Sequence, residues 1–119
     1  MPHFRIETNV SASKISPDFT KKLCEITASS LGKPLSYCVA TVIPDVNMSW
    51  AGTNEPCAQA TLLSIGALGL EKNKQHSKAF SDYICKELQI SPQRMYIHFI
   101  NSQSADIGYD GKTFHDIWG

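Results

Sequence analysis

One order of elements runs through this 119-residue chain twice. Residues 3–9 alternate, with Phe4, Ile6 and Thr8 on one side and His3, Arg5 and Glu7 on the other. That is the period of a half-buried strand. Ser16-Pro17-Asp18 reads as an N-cap, a proline at the first helical position and an acid in the first turn. Phe19, Leu23 and Ile26 come next at helical spacing, with Leu31 slightly off the stripe, and Gly32 and Pro34 stop the helix. Residues 37–43 are apolar almost throughout, which suits a central strand covered on both faces. The order restarts about 55–60 residues later. Residues 57–65 alternate loosely as a strand, which Gly66 and Gly69 bring to an end. A helix from about Glu71 to Leu88 buries Phe80, Tyr83, Ile84 and Leu88, with Ala79 beside them. Ser91-Pro92 ends it, and Met95 to Ile100 is again a strand. Outside the repeat, Val46 to Trp50 suits a short strand. Asp106–Tyr109 and Thr113–Ile117, joined by the Asp110-Gly111 turn, suit a small terminal hairpin.

Two strand–helix–strand units combine most simply as an α/β fold of the two-layer α+β kind: a four-stranded mixed sheet with both helices on one face. Residues 1–119 suffice for a single domain with a modest core. Such a sheet leaves its other face bare. Val39, Val42, Leu62, Leu63, Ile97 and Phe99 cannot all lie under two helices, so an exposed apolar face predicts an oligomer. Edge strands, including Val46 to Trp50 and the terminal hairpin, would pair across subunits.

Charge narrows the function. Lys and Arg number 11, Asp and Glu 11, so the formal net charge is zero. A nucleic-acid binder needs a basic face, and Lys72-Asn73-Lys74 reads instead as a solvated helix face. Near-neutrality permits self-association. No run approaches the ~18 apolar residues of a membrane span, so no membrane insertion is expected. The N-terminus lacks the apolar core of a signal peptide, which gives the cytoplasm as the default address. Cys24, Cys38, Cys57 and Cys85 form no CxxC and no zinc-finger spacing, so they read as reduced thiols, mostly buried. His3, His76, His98 and His115 are scattered, so neither a metal site nor a cofactor is expected.

Pro2 carries the possible chemistry. Enzymes that trim initiator methionine act when the next side chain is small, so Pro2 can become the first residue and present a secondary amine. An α-amino group titrates near 7.7–8.0 in water. Burial or a nearby cation lowers that value and yields a base that is neutral near pH 7. Taken alone, Pro2 reads far more readily as a residue that merely starts a strand, where a missing N–H costs nothing.

Several short motifs now fall into register. They are Pro2 with a strand ending Thr8-Asn9, Gly32-Lys33-Pro34, Pro44-Asp45, Glu55-Pro56-Cys57-Ala58, Ser64-Ile65-Gly66, Ile90-Ser91-Pro92-Gln93-Arg94-Met95-Tyr96-Ile97 and Thr113-Phe114. In this order and spacing, from Pro2 to Phe114, the chain resembles the macrophage migration inhibitory factor family of the tautomerase superfamily. The resemblance implies a homotrimer whose sheets face a central channel. It implies keto–enol tautomerisation of small aromatic compounds such as phenylpyruvate and dopachrome, an isomerase activity. It also implies a pro-inflammatory cytokine of innate immunity, cytoplasmic and secreted without a signal peptide, that acts on a CD74-like cell-surface receptor.

The resemblance assigns roles residue by residue. Pro2 matches the catalytic base. Lys33 matches a residue that meets the substrate's carboxylate or enolate; read without the register, it is a cation at a helix C-terminus. Ile65 matches a position whose backbone N–H binds substrate. Tyr96 matches an aromatic supplied by a neighbouring subunit, and Tyr37 a pocket-rim aromatic. His98 replaces a substrate-binding asparagine; it can still donate a hydrogen bond but is larger and titrates. Tyr109 replaces a tryptophan in the pocket wall. Cys57-Ala58-Gln59-Ala60 replaces the family's Cys-x-x-Cys, so no two-cysteine redox cycle is expected from this segment. The tail His115–Gly119 extends past the resemblance, and Ile117 and Trp118 are apolar enough to dock on a neighbouring subunit. Two other readings stand beside this one. The first is a non-enzymatic signalling protein with a vestigial pocket. The second is a ferredoxin-like nucleic-acid module, disfavoured by zero net charge and an aliphatic sheet face.

Overall fold

The computed structural model describes residues 1–118. The first unit is β1 (Pro2–Thr8), α1 (Phe19–Leu31) and β2 (Val39–Ile43); the second is β3 (Ala58–Ser64), α2 (Leu70–Leu88) and β4 (Met95–Asn101). Each unit pairs its two strands in parallel, and the units join antiparallel through β1 and β3, giving the order β2-β1-β3-β4. The expected four-stranded mixed sheet with two helices is what forms.

Register decides which residues share a face. Ala40, Phe4, Leu62 and Phe99 form one row across the four strands, and Val42, Ile6, Ala60 and Ile97 another. All eight are buried or packed against the core under the helices. Phe4 stacks on Phe80 of α2 with ring centroids 4.2 Å apart. Both rings are fully buried, so truncating either to alanine costs about 3–5 kcal/mol.

The other face differs from the expectation. Val42, Leu62, Ile97 and Phe99 turn toward the helices, and only Val39 and Leu63 of the six named residues alternate to the open side. The middle row of that open side is Thr41, Arg5, Thr61 and His98. The bare face is therefore mixed, polar along its middle row, with Val39, Leu63 and Ile100 in the row on one side and Ile43 in the row on the other.

Other boundaries shift for local reasons. The buried row of α1 is Phe19, Leu23, Thr27 and Leu31, four residues apart, which puts Leu31 on the stripe and Ile26 to its side. Thr27 tolerates burial because its hydroxyl donates to the Leu23 carbonyl at 2.6 Å. The helix starts at Phe19 rather than Pro17, although Ser16 Oγ still accepts the Asp18 N–H at 3.2 Å. β2 is an edge strand, not a central one, and Tyr37 and Cys38 precede it, Tyr37 in a 3₁₀ turn over Leu35–Tyr37. Val46 to Trp50 forms no strand; the segment is tied by Val46 N–H to Thr8 O and closes with a Trp50–Thr53 bridge. The terminal hairpin is β5 (Gly108–Tyr109) with β6 (Lys112–Thr113), and its expected second arm instead coils into α3 (Phe114–Trp118). Gly119, the last residue of the tail, lies outside the described residues. Among the described residues no helix is long and apolar enough to cross a membrane.

Candidate functional site

Pro2 opens β1, where its ring is buried and its missing N–H removes no essential ladder bond. It lies opposite Ser64, whose buried hydroxyl has no partner among the described residues. Met1 precedes it, so the amine here is that of Met1. Burial lowers that amine's pKa below 8.0 first, the Lys33 ammonium lowers it further, and Cys38 acts in the opposite direction. The Met1 carbonyl accepts the Ile65 N–H at 3.4 Å.

Lys33 reaches this place because of how α1 stops. Gly32 adopts φ +65°, a left-handed conformation that costs glycine nothing. The N–H groups of Gly32 and Lys33 both return to Ala28 O, closing a Schellman cap. The turn aims the Lys33 side chain at the end of β3, where Nζ donates to Ile65 O at 3.1 Å. One residue, Ile65, thus offers its N–H toward the N-terminus and its carbonyl to the cation.

The loop carrying Ile65 is held from several sides. Gly66 N–H donates to Asn101 Oδ1 at 3.0 Å, and Ser102 N–H to Ser64 O at 2.9 Å. His76 of α2 is buried; its Nε2 meets Ala67 O at 2.8 Å and its Nδ1 meets Ser30 Oγ at 2.6 Å. A carbonyl only accepts, so Nε2 carries a proton and donates to Ala67 O, while Nδ1 pairs with the Ser30 hydroxyl. The imidazole therefore links α1, α2 and the site loop.

Aromatic rings form the remaining wall. Tyr37 meets Tyr109 edge-on at 5.5 Å and Phe114 edge-on at 5.8 Å. Tyr109 stacks on Phe114 at 5.3 Å, and Phe114 packs on Trp118 at 4.5 Å. The Trp118 ring lies 6.0 Å from Lys33 Nζ. The indole thus has a packing surface on its own chain.

Within one chain, Pro2, Lys33, Ile65, Tyr37 and Tyr109 are joined through this set of contacts. Tyr96 and His98 are not. Asn101 of β4 shares the Ser64–Pro2 row, so His98 and Tyr96 stand three and five residues along, roughly 10 and 17 Å at strand spacing. Both are exposed, and Tyr96 packs on Trp50 at 4.5 Å. A cleft of about 500 Å³ at the far end of β1, lined by Asn9, Lys14, Asn54, Glu87 and Gln89 among others, contains none of the candidate catalytic or substrate-binding residues. Among the described residues no cluster of His, Cys, Asp or Glu is fit to hold a metal.

Sequence reasoning missed His76, Phe114 as the buried hub of the aromatic wall, and Trp118 as its outer member. A signal for His76 was present: it occupies in α2 the row position that Phe19 occupies in α1, so it had to be a core residue with its polar atoms satisfied.

Comparison with known proteins bears on this geometry. Residues 1–115 match the family model for macrophage migration inhibitory factor. The mouse (Mus musculus) macrophage migration inhibitory factor is 38% identical over 114 residues, 96% of this chain and 99% of its own. A homolog from Trichuris trichiura is 39% identical over 96% of this chain and all of its own. The solved structure of the Trichinella spiralis factor superposes with a TM-score of 0.92 at 35% identity, covering 94% of this chain and 99% of that one. A homologue from Prochlorococcus marinus gives 0.86 at 28% identity, covering 94% and 98%.

Proposed function

Since the chain belongs to the macrophage migration inhibitory factor family, we propose that it is a keto–enol tautomerase with Pro2 as its base, and that the same molecule is a pro-inflammatory cytokine. One observation carries the enzymatic reading. Met1 occupies both elements the reaction needs: its carbonyl takes the Ile65 N–H, and its amine sits in the field of Lys33. Removing Met1 leaves the Ile65 N–H without that partner and moves the free amine to Pro2, one residue deeper.

The proton moves in two steps. First, the neutral Pro2 amine takes it from the carbon next to the carbonyl of a phenylpyruvate-like or dopachrome-like substrate. The electrons of that C–H bond form the enol C=C, and the carbonyl electrons move onto oxygen. The Lys33 ammonium and the Ile65 N–H meet the negative charge that develops. Pro2 then returns its proton to the oxygen, completing the enol. Burial and Lys33 both favour the neutral amine, so the base is ready near pH 7.

Tyr37 and Tyr109 line the pocket. Tyr96 and His98 are too far along the sheet to act within one chain, so in this reading a neighbouring subunit of a homotrimer supplies them. As a signal, the protein is cytoplasmic and leaves the cell by a non-classical route to meet a CD74-like receptor. A second reading keeps the signalling role and treats the pocket as vestigial, because His98 is bulkier than asparagine.

Phenylpyruvate turnover, measured beside an intact mass of the same sample, tests the proposal. Activity confined to the Met1-free species and lost in Pro2→Gly is the expected result. A Met1-free sample with no turnover removes the enzymatic reading and leaves the signalling one.

A further inference from the structure

The family match ends at residue 115, so Trp118 lies beyond it. Its position is nevertheless defined. The indole rests on Phe114, which is 1% exposed, with ring centroids 4.5 Å apart and planes 33° from parallel. Phe114 is in turn held by Tyr37 and Tyr109. Trp118 thus has a rigid base, yet it remains 49% exposed. A ring that only filled core would be buried as Phe114 is.

The cation beneath it matters as much. Lys33 Nζ is fixed on one side by Ile65 O at 3.1 Å, and the indole stands 6.0 Å away. An aromatic face attracts the ammonium without neutralising it, so the charge stays available to an anion. A carboxylate that reaches Lys33 brings its next atoms alongside the exposed part of the indole. A flat aromatic group there gains stacking or edge contacts that an alkyl chain does not reproduce.

We propose that Trp118 is a specificity-determining residue, a wall beside Lys33 that favours aryl-substituted α-keto acids over alkyl ones. This rests on the site reading above. Its experiment has two arms, so that the two ideas fail separately.

The first arm is kinetic. Trp118→Ala is expected to raise KM for phenylpyruvate about five- to tenfold while changing KM for 2-oxohexanoate less than twofold and leaving kcat for both nearly unchanged. Trp118→Phe is expected to restore most of the difference, which a merely structural role of the tail would not require. Equal changes for both substrates, or none, overturn the proposal.

The second arm needs no turnover. The chain has two tryptophans, so in a Trp50→Phe background Trp118 is the only indole. Titration with 3-phenylpropanoate is expected to change its emission saturably, with hexanoate at least fivefold weaker, and Lys33→Met is expected to abolish the response. No saturable response, or equal affinity for both acids, overturns the proposal. If Met1-free protein shows no tautomerase activity, the enzymatic reading fails while this arm still decides the role of Trp118.

Discussion

The two strand–helix–strand halves share a frame and put it to different uses. Phe19, Leu23, Thr27 and Leu31 form the buried row of α1; His76, Phe80, Ile84 and Leu88 form that of α2. Both helices end in a left-handed residue, Gly32 at φ +65° and Gln89 at φ +56°. Both close the same pair of bonds, to Ala28 O in one case and Cys85 O in the other. A 3₁₀ turn then leads each chain into its parallel strand. At the residue after the cap they part. The second half has Ile90, 4% exposed, the apolar contact that such a cap favours. The first half has Lys33, which gives up that contact and points its charge at the N-terminus. Further on, Arg94 of the second half donates to the carbonyls of Pro56, Trp50 and Glu55 and so anchors a loop. Its counterpart Tyr37 enters the aromatic wall. A duplicated frame thus turns a cation and an aromatic ring toward the N-terminus in one copy and ties down a loop in the other.

Exchanging the residues after the caps is the strongest way to break this comparison. Ile90→Lys places an ammonium in an apolar site. We expect a loss of roughly 3 kcal/mol of stability, read as a lower denaturant midpoint with an unchanged m-value. The reverse change, Lys33→Ile, restores the apolar contact and is expected to leave stability intact or raised. Its effect is on chemistry: kcat/KM for phenylpyruvate in Met1-free protein falls on the order of 10²-fold, about 2.7 kcal/mol. The pH profile sharpens the point. The base works only when neutral, so activity rises with pH through its pKa. The Met1 amine's pKa is depressed by burial and by Lys33, and the same two causes are expected to act on the Pro2 amine once Met1 is removed. The acidic limb therefore lies below the 7.7–8.0 of a free α-amine and moves to higher pH in Lys33→Ile. An unmoved limb would mean that Lys33 binds substrate without tuning the base.

His76 offers a smaller test, because it stands where the first half has Phe19. His76→Phe keeps a large ring but removes the bonds to Ser30 Oγ and Ala67 O. The expected cost is about 1–2 kcal/mol in stability. The site loop should also loosen, with faster amide exchange at Gly66 and Ala67. Stability loss with unchanged exchange there would confine His76 to the core.

How much of this was legible in the sequence depends on what each residue's environment can reveal. β1 and β3 were readable because one face is dry and the other is not, so alternation survives in Phe4, Ile6, Ala60 and Leu62. β2 misled because Val39, Ala40, Val42 and Ile43 are apolar on both sides of an edge strand, and composition does not report position in a sheet. Lys33 looked like any cation at a helix end; only the register of neighbouring motifs set it apart. The partners of His76 lie on α1 and in the Gly66–Gly69 turn, and a single residue does not disclose distant partners. The apolarity of Trp118 called for a surface to pack on, but that its own Phe114 offers one is disclosed only when the tail folds as α3.

The smallest expected effect compares the two caps themselves. Gly32 has no heavy atom within 4 Å of where a Cβ would stand, so Gly32→Ala meets no clash and pays only for the left-handed conformation, about 1 kcal/mol. Gln89 already carries that cost at φ +56° and recovers part of it through its side-chain bond to Lys86 O at 3.0 Å. Gln89→Gly relieves the strain but loses that bond and frees the unfolded chain, so the net gain is at most about 0.5 kcal/mol. Opposite signs at equivalent positions would show that both caps carry the same strain and that glycine was selected where the next residue must aim a charge. A destabilised Gln89→Gly would show instead that the second cap is held by its side chain, and that the two halves differ one residue earlier than Lys33 and Ile90.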